Sequence, residues 1–180
     1  DSDCTASSDW IANMLAAMRE NDAPIVGGRI MHSDDLWVKV IGISDFGGFQ
    51  ARETKHMDTL PCCNLGVAGR IFEKHRFDPE AEIGGDVLFC ASLRAAGYKL
   101  LYSPAPVVYH HPRSGLHAYL HRSIRYGEGF VRVRRSNPTL RYGACLKGGA
   151  AGVITATLGR TILDWYRLLK YRQESNIRIS

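Results

Sequence analysis

The chain has no apolar run long enough to cross a bilayer. Its charge-free stretch from Gly148 to Gly159 is twelve residues, short of the ~20 that a spanning helix needs. It has no internal repeat and no low-complexity tract. The five cysteines (4, 62, 63, 90 and 145) are odd in number and show no metal-ligand spacing. Vicinal Cys62 and Cys63 are poorly placed to pair with each other, and Cys90 falls on the apolar side of a predicted helix. All five read as reduced, small hydrophobic residues in a cytosolic setting. No signal peptide is visible. The basic charge comes with no nucleic-acid reading motif, so nucleic acid ranks last among anionic partners.

What is present suffices for one folded core. The 180 residues are 45% hydrophobic, enough to bury a single domain interior. Charge is divided unevenly. Residues 1–112 hold 10 Lys/Arg and 15 Asp/Glu, whereas residues 113–180 hold 13 and 3, which leaves the stated net +5. A basic C-terminal third implies an anionic partner such as a diphosphate or an anionic membrane surface.

The most informative segment runs from Gly84 to Tyr102. Asp86 stands at the mouth of an amphipathic helix, where free N–H groups and the positive end of the helix dipole favour a carboxylate. Val87, Leu88, Cys90, Ala91 and Leu93 form the predicted apolar stripe, and Gly97 is the expected C′ stop. Taken alone, Asp86 is a helix-start residue. A second acidic cluster, Asp1-Ser2-Asp3, opens the chain. Two carboxylates at i and i+2 of an extended segment point to one side, and hard oxygen donors so placed suit Mg²⁺ or Mn²⁺. Taken alone, it is also an ordinary loop sequence. Ser7-Ser8-Asp9 then caps a predicted helix over 8–20, whose apolar face is read as Trp10, Ile11, Met14, Leu15 and Met18.

In order, these segments resemble the family 2 glycosyltransferases of the GT-A fold. Asp1-Ser2-Asp3-Cys4 with Ser8-Asp9-Trp10-Ile11 is similar to that family's D-x-D and following helix. Ile25-Val26-Gly27-Gly28-Arg29-Ile30 resembles its next strand. Asn64 to Arg70, with Phe77-Asp78, resembles a further motif. Gly85-Asp86 followed by Leu93-Arg94-Ala95-Ala96-Gly97-Tyr98 resembles the acidic motif, and Ser103 to His110 the strand that ends in His. The likeness covers residues 1 to about 135.

The resemblance implies an α/β fold: a partial GT-A domain (a Rossmann-like mixed sheet with flanking helices) over 1–112, then a basic helical extension over 113–180. It implies inverting transfer from a nucleotide-diphosphate sugar to an acceptor hydroxyl on a glycan or lipid-linked sugar. Asp86 would be the catalytic base. Asp3, and less directly Asp1, would hold Mg²⁺ or Mn²⁺, with His110 a further metal ligand, a diphosphate contact or a structural histidine. Asn64, Gly85, Arg122 and Arg125 would contact substrate. For Asn64 the alternative is backbone capping, and for the two arginines a solvated basic face. Family members begin with strand–helix repeats that hold the base and ribose. Here the D-x-D opens the chain, so a fragment of a longer protein is expected. The acidic motif reads Gly-Gly-Asp, without the usual Glu. The Gln-x-x-Arg-Trp motif of processive members is matched poorly by Arg122-Ser123-Ile124-Arg125-Tyr126, which implies a non-processive enzyme. A non-catalytic relative and a GT-A-like nucleotidyltransferase are the rival readings.

Elsewhere the pattern predicts a strand at 25–31, a polar loop over 44–60, a helix at 67–75 and a strand at 98–110, while 36–43 reads as strand or helix and the resemblance favours helix. From Ser114 on, Leu116, Tyr119, Leu120, Ile124 and Gly127 recur at helical spacing. Further along, Ile162, Leu163, Trp165, Tyr166, Leu168 and Leu169 interleave with Arg160, Arg167, Lys170 and Arg172. Such a helix either lies in a membrane interface or packs on the domain or a partner. The expected location is the cytoplasm, peripheral at the membrane's cytoplasmic face.

Overall fold

The computed structural model describes residues 2–32, 35–113, 115–137, 140 and 149–175. It is a mixed α/β structure. Strands are β1 (Cys4–Ala6), β2 (Ile25–His32), β3 (Lys55–Met57), β4 (Leu65–Val67) and β5 (Leu100–His110). Helices are α1 (Trp10–Glu20), α2 (Leu36–Phe46), the single turn α3 (Gly69–Phe72), α4 (Gly85–Ala95), α5 (Leu116–Ser136) and α6 (Gly149–Ser175). Two 3₁₀ turns, Gly47–Phe49 and Cys62–Asn64, precede β3 and β4 respectively.

The sheet is organised around β5. Its order is β1-β5-β2-β4, and β3 also pairs with β5. β2 runs parallel to β5, while β1 and β3 pair with it antiparallel, β1 at its C-terminal end and β3 at its start. A strand flanked on both edges and covered on both faces should be apolar without alternation, and Leu100 to Ser103 are all buried.

β5 is irregular in the middle for a chemical reason. Gly27 pairs with Tyr102 but Arg29 pairs with Val107, so five steps along β5 match two along β2. The extra residues lie in Ser103-Pro104-Ala105-Pro106, where two prolines lack the N–H that a ladder requires. Asn64 repairs the gap. Its side-chain NH₂ donates to Arg29 O (2.8 Å) and Pro106 O (3.1 Å), and its Oδ1 accepts from Trp10 Nε1 at 2.8 Å. Gly28 leaves space for this amide, since a Cβ there would run into both Asn64 and the Pro106 carbonyl.

The two faces of the sheet hold separate cores. Val26 and Leu101 pack under α1 with Met14, Ala17 and Ala23. Ile25, Ile30, Leu100 and Tyr102 pack on the other side with Phe89, Cys90 and Leu93 of α4, together with Phe49, Leu60 and Ile71. The α1 face is narrower than the pattern predicts, for Ile11 and Leu15 are exposed. In α4, Phe89 joins Cys90 and Leu93 as fully buried, while Val87, Leu88 and Ala91 are half-buried. Its end matches expectation. Gly97 has φ +87°, its N–H reaches Arg94 O, and Tyr98 N–H reaches Leu93 O, which is a Schellman closure.

Three other expectations need correction. The 44–60 stretch is not wholly loop, because it contains β3 on the edge of β5. Residues 67–75 begin as strand β4 and hold only the short α3. On α5 the expected apolar positions Leu116, Leu120 and Ile124 are exposed. Its inner side is instead Gly129 and Val133, which lie against Ile83 and Gly84. The 36–43 helix is present and extends to Phe46. α6 runs beside α2 and exposes Ile154, Leu158, Ile162, Trp165, Tyr166 and Leu169. No helix among the described residues is long and apolar enough to cross a membrane.

Candidate functional site

The carboxyl ends of parallel strands are where open α/β sheets gather their ligands. Here β2 ends at His32 and β5 at His110, side by side in register. The β1–β5 ladder sets Cys4 opposite His110, and His111 N–H donates to Asp3 O at 2.7 Å. Asp3 and Cys4 are thus fixed by backbone pairing, Asp3 in the turn that precedes β1. His110 Nε2 lies 3.4 Å from Asp3 Oδ2, and Cys4 Sγ lies 3.6 Å from Asp3 Oδ1.

His110 is 4% exposed, and Asp3 keeps 42% of its side chain in solvent. Burial holds the His110 pKa below its usual value, against the opposite pull of Asp3. The imidazole is therefore neutral near pH 7, and its contact with Asp3 is not an ion pair. Its ring is packed by Phe46 (centroids 5.1 Å apart) and by His32 (5.7 Å). His32 is itself driven down to about 4 by burial, with His110 adding to the effect. Neither nitrogen of His32, nor Nδ1 of His110, has a hydrogen-bond partner.

Asp86 lies in the first turn of α4. Its Oδ1 accepts from Val87 N–H at 2.8 Å, and the Cys62 backbone N–H also donates to the carboxylate. Burial outweighs both donors and pushes its pKa above the ordinary aspartate value. The 3₁₀ turn at Cys62–Asn64 links the two halves. Cys63 lies within the electrostatic reach of both Cys4 and Asp86, and Cys62 feels Asp86 directly. Burial raises the pKa of both thiols. The Tyr126 hydroxyl lies within the fields of Asp86, Asp3 and Asp45, and burial raises its pKa.

Arg122 closes the rim by joining two helices. Its Nε and Nη2 both donate to Asp45 Oδ2, at 2.9 and 2.7 Å, and its guanidinium stacks on Tyr126, 4.4 Å from the ring centroid. Asp45 is on α2 and Arg122 on α5, so the pair fastens one helix to the other.

Among the residues expected at the site, Asp3, His110, Asp86 and Arg122 thus occupy one corner of the fold. Gly85 is the first residue of α4, behind Gly84 in the left-handed region (φ +81°). Arg125 is exposed on α5. Asn64 has no exposed surface, and its amide is committed to the β2–β5 gap and Trp10. It meets the protein rather than solvent, and its part at this corner is to hold the strands that carry His32 and His110. Asp1 lies outside the described residues. No family model matches this chain, and no curated protein is detectably similar to it.

Sequence reasoning missed Cys4, Cys63, His32, Asp45 and Tyr126. A signal existed for Tyr126, which stands at i+4 from Arg122 on a helix, the spacing at which side chains meet. The other four reach the corner through strand pairing (Cys4 and His32), the 3₁₀ turn (Cys63) or α2 (Asp45), which local pattern does not reveal.

Proposed function

We propose that this chain forms the acceptor side of an inverting glycosyltransferase of the family 2 type, with a partial GT-A fold. The observation that carries the reading is that Asp86, a carboxylate whose proton affinity burial has raised, shares the electrostatic surroundings of Tyr126 with Asp3, which contacts His110. A general base works best with a pKa lifted toward the operating pH. The Asp86 carboxylate, one oxygen of which accepts from Val87 N–H, would take the proton of an acceptor hydroxyl. That hydroxyl attacks the anomeric carbon on the face away from the leaving diphosphate, and configuration inverts.

The diphosphate belongs at the Asp3 and His110 end. Of the donors there, the Asp3 carboxylate suits Mg²⁺ or Mn²⁺, whereas an imidazole nitrogen and a thiol suit a softer cation. A divalent cation held by Asp3 and His110 would supply neutralising charge to the departing diphosphate. The Tyr126 hydroxyl, within the fields of both Asp86 and Asp3, would be a further donor to the substrate. Arg122 serves the phosphate only if it loosens Asp45; bound as it is, it orients Tyr126. The exposed apolar stripe of α6 and the basic C-terminal third support an anionic membrane surface as the place of work, with a lipid-linked or glycan acceptor.

The test is product analysis with uridine and guanosine diphosphate sugars on the protein that carries this chain. Release of nucleoside diphosphate with sugar transfer supports the reading. Release of pyrophosphate would assign a nucleotidyltransferase instead, and no turnover with tight nucleotide binding would assign a non-catalytic relative.

A further inference from the structure

We propose that Asp3, Cys4 and His110 form a site for a thiophilic divalent cation of the Zn²⁺ class, with the Cys4 thiolate as a ligand. The cation's part in transfer rests on the function proposed above; its identity rests on the donors themselves.

One ligand atom from each of the three residues lies within 4.8 Å of the other two. Around Zn²⁺, bonds of about 2.0 Å to nitrogen or oxygen and about 2.3 Å to sulfur, set tetrahedrally, put N and O about 3.3 Å apart and S and O about 3.5 Å apart. His110 Nε2 is 3.4 Å from one Asp3 oxygen, and Cys4 Sγ is 3.6 Å from the other. Each of these two spacings is close to its coordination value, though to different Asp3 oxygens, and small side-chain rotations within the 4.8 Å cluster would complete the set. Octahedral Mg²⁺, at about 2.0–2.1 Å, would need oxygen donors about 2.9 Å apart and has little affinity for sulfur.

A second observation points the same way. His110 is almost wholly buried, yet Nδ1 has no partner and Nε2 has only the long contact to Asp3. The 3.4 Å contact leaves Nε2 with no close protein partner, so its lone pair is the one open to a cation, while Nδ1 stays without a partner. The backbone is rigid where it matters, because the Cys4–His110 register and the His111 N–H bond to Asp3 O hold all three residues on paired strands. Three protein donors leave a fourth position for water or a phosphate oxygen, as in zinc sites that act on substrates. Binding releases the Cys4 thiol proton to solvent as the metal–sulfur bond forms.

The test is cobalt spectroscopy on the metal-stripped chain. Co²⁺ should bind at one equivalent with a near-ultraviolet thiolate-to-metal charge-transfer band. Zn²⁺ should abolish the band stoichiometrically, and Mg²⁺ in large excess should not. The band should vanish in Cys4→Ser and persist in Cys63→Ser, with the fold of both variants checked by circular dichroism. Zn²⁺ affinity in Cys4→Ser should fall by more than the roughly 10–100-fold that an outer partner is worth. A band that survives Cys4→Ser, or is lost only in Cys63→Ser, overturns the inference. Co²⁺ bound without the band also overturns it, while leaving an oxygen–nitrogen site and the role of Asp86 standing. Failure of both Co²⁺ and Mn²⁺ to bind overturns it and removes the cation from the proposed function as well.

Discussion

Replacing Asn64 by Ala should cost the protein more than any surface change near the candidate site. The Asn64 amide makes three hydrogen bonds, to Arg29 O, Pro106 O and Trp10 Nε1. Alanine leaves two carbonyls inside the sheet without donors, because the proline-containing stretch opposite has none to offer. A buried polar group left unpaired costs about 1–3 kcal/mol. Trp10 is only half-buried and can turn to water, so we count the two carbonyls and expect a loss of about 4 kcal/mol. That is a large share of the ~5–15 kcal/mol that holds a domain together. Asn64→Asp should be at least as damaging, since it keeps the acceptor for Trp10 and turns negative charge toward two carbonyls. Gly28→Ala displaces the same amide, so Gly28→Ala and Asn64→Ala should be strongly non-additive. Urea unfolding followed by circular dichroism reads all of these. A loss below about 1 kcal/mol in Asn64→Ala, with the slope unchanged, would refute the claim that the side chain closes the β5 gap.

The remaining predictions concern charge. The folded pKa of Asp86 lies above its unfolded value, so its ionised form subtracts stability above that folded pKa and not below the unfolded one. Asp86→Asn should therefore melt higher than the parent at pH 7.5, with the gap closing near pH 4 in thermal scans. His32 shifts the other way, from 6.5 to about 4. Its contribution, on the order of 3 kcal/mol, is present above pH 6.5 and lost as the pH falls toward 4. His32→Phe should flatten that acid loss in denaturant titrations at pH 7 and 4.5, and an unchanged slope would count against burial as the cause. Arg122→Ala strands the half-buried Asp45 and unfastens α5 from α2, which should cost about 1.5–3 kcal/mol. Arg122→Lys should recover only part of this, because it cannot reproduce the paired Nε and Nη2 donors.

What could be read in advance was local. The α4 segment announced itself because a first-turn Asp, an apolar stripe and a Gly in the left-handed region all act within a few residues. The α2 segment was not legible in this way, since Leu36 to Ile43 reads equally as strand or helix and only the family resemblance favoured the helix that forms. β3 was not, because Lys55-His56-Met57 has no alternation and takes its extended form from the edge of β5, far along the chain. The α1 and α5 stripes misled because periodic apolar residues mark a helix face without saying whether anything covers it, and Ile11, Leu116 and Ile124 are left uncovered. At the candidate site, Asp86 and Asp3 stood out as carboxylates near element starts. Cys4 did not, since a small thiol reads as core filler until strand register sets it opposite His110. Asn64 drew attention as a polar residue in an ordered motif, but its buried position follows from the two prolines of β5 forty residues later.

The most direct measurement of the central claim is single-turnover sugar transfer by Asp86→Asn in the protein that carries this chain, alongside its nucleoside diphosphate affinity. A lost general base should slow transfer by about 10²–10⁴-fold, while the nucleotide, seated at the Asp3 and His110 end, binds nearly as before. Transfer at the parent rate with intact nucleotide binding would contradict the assignment of Asp86 as the base.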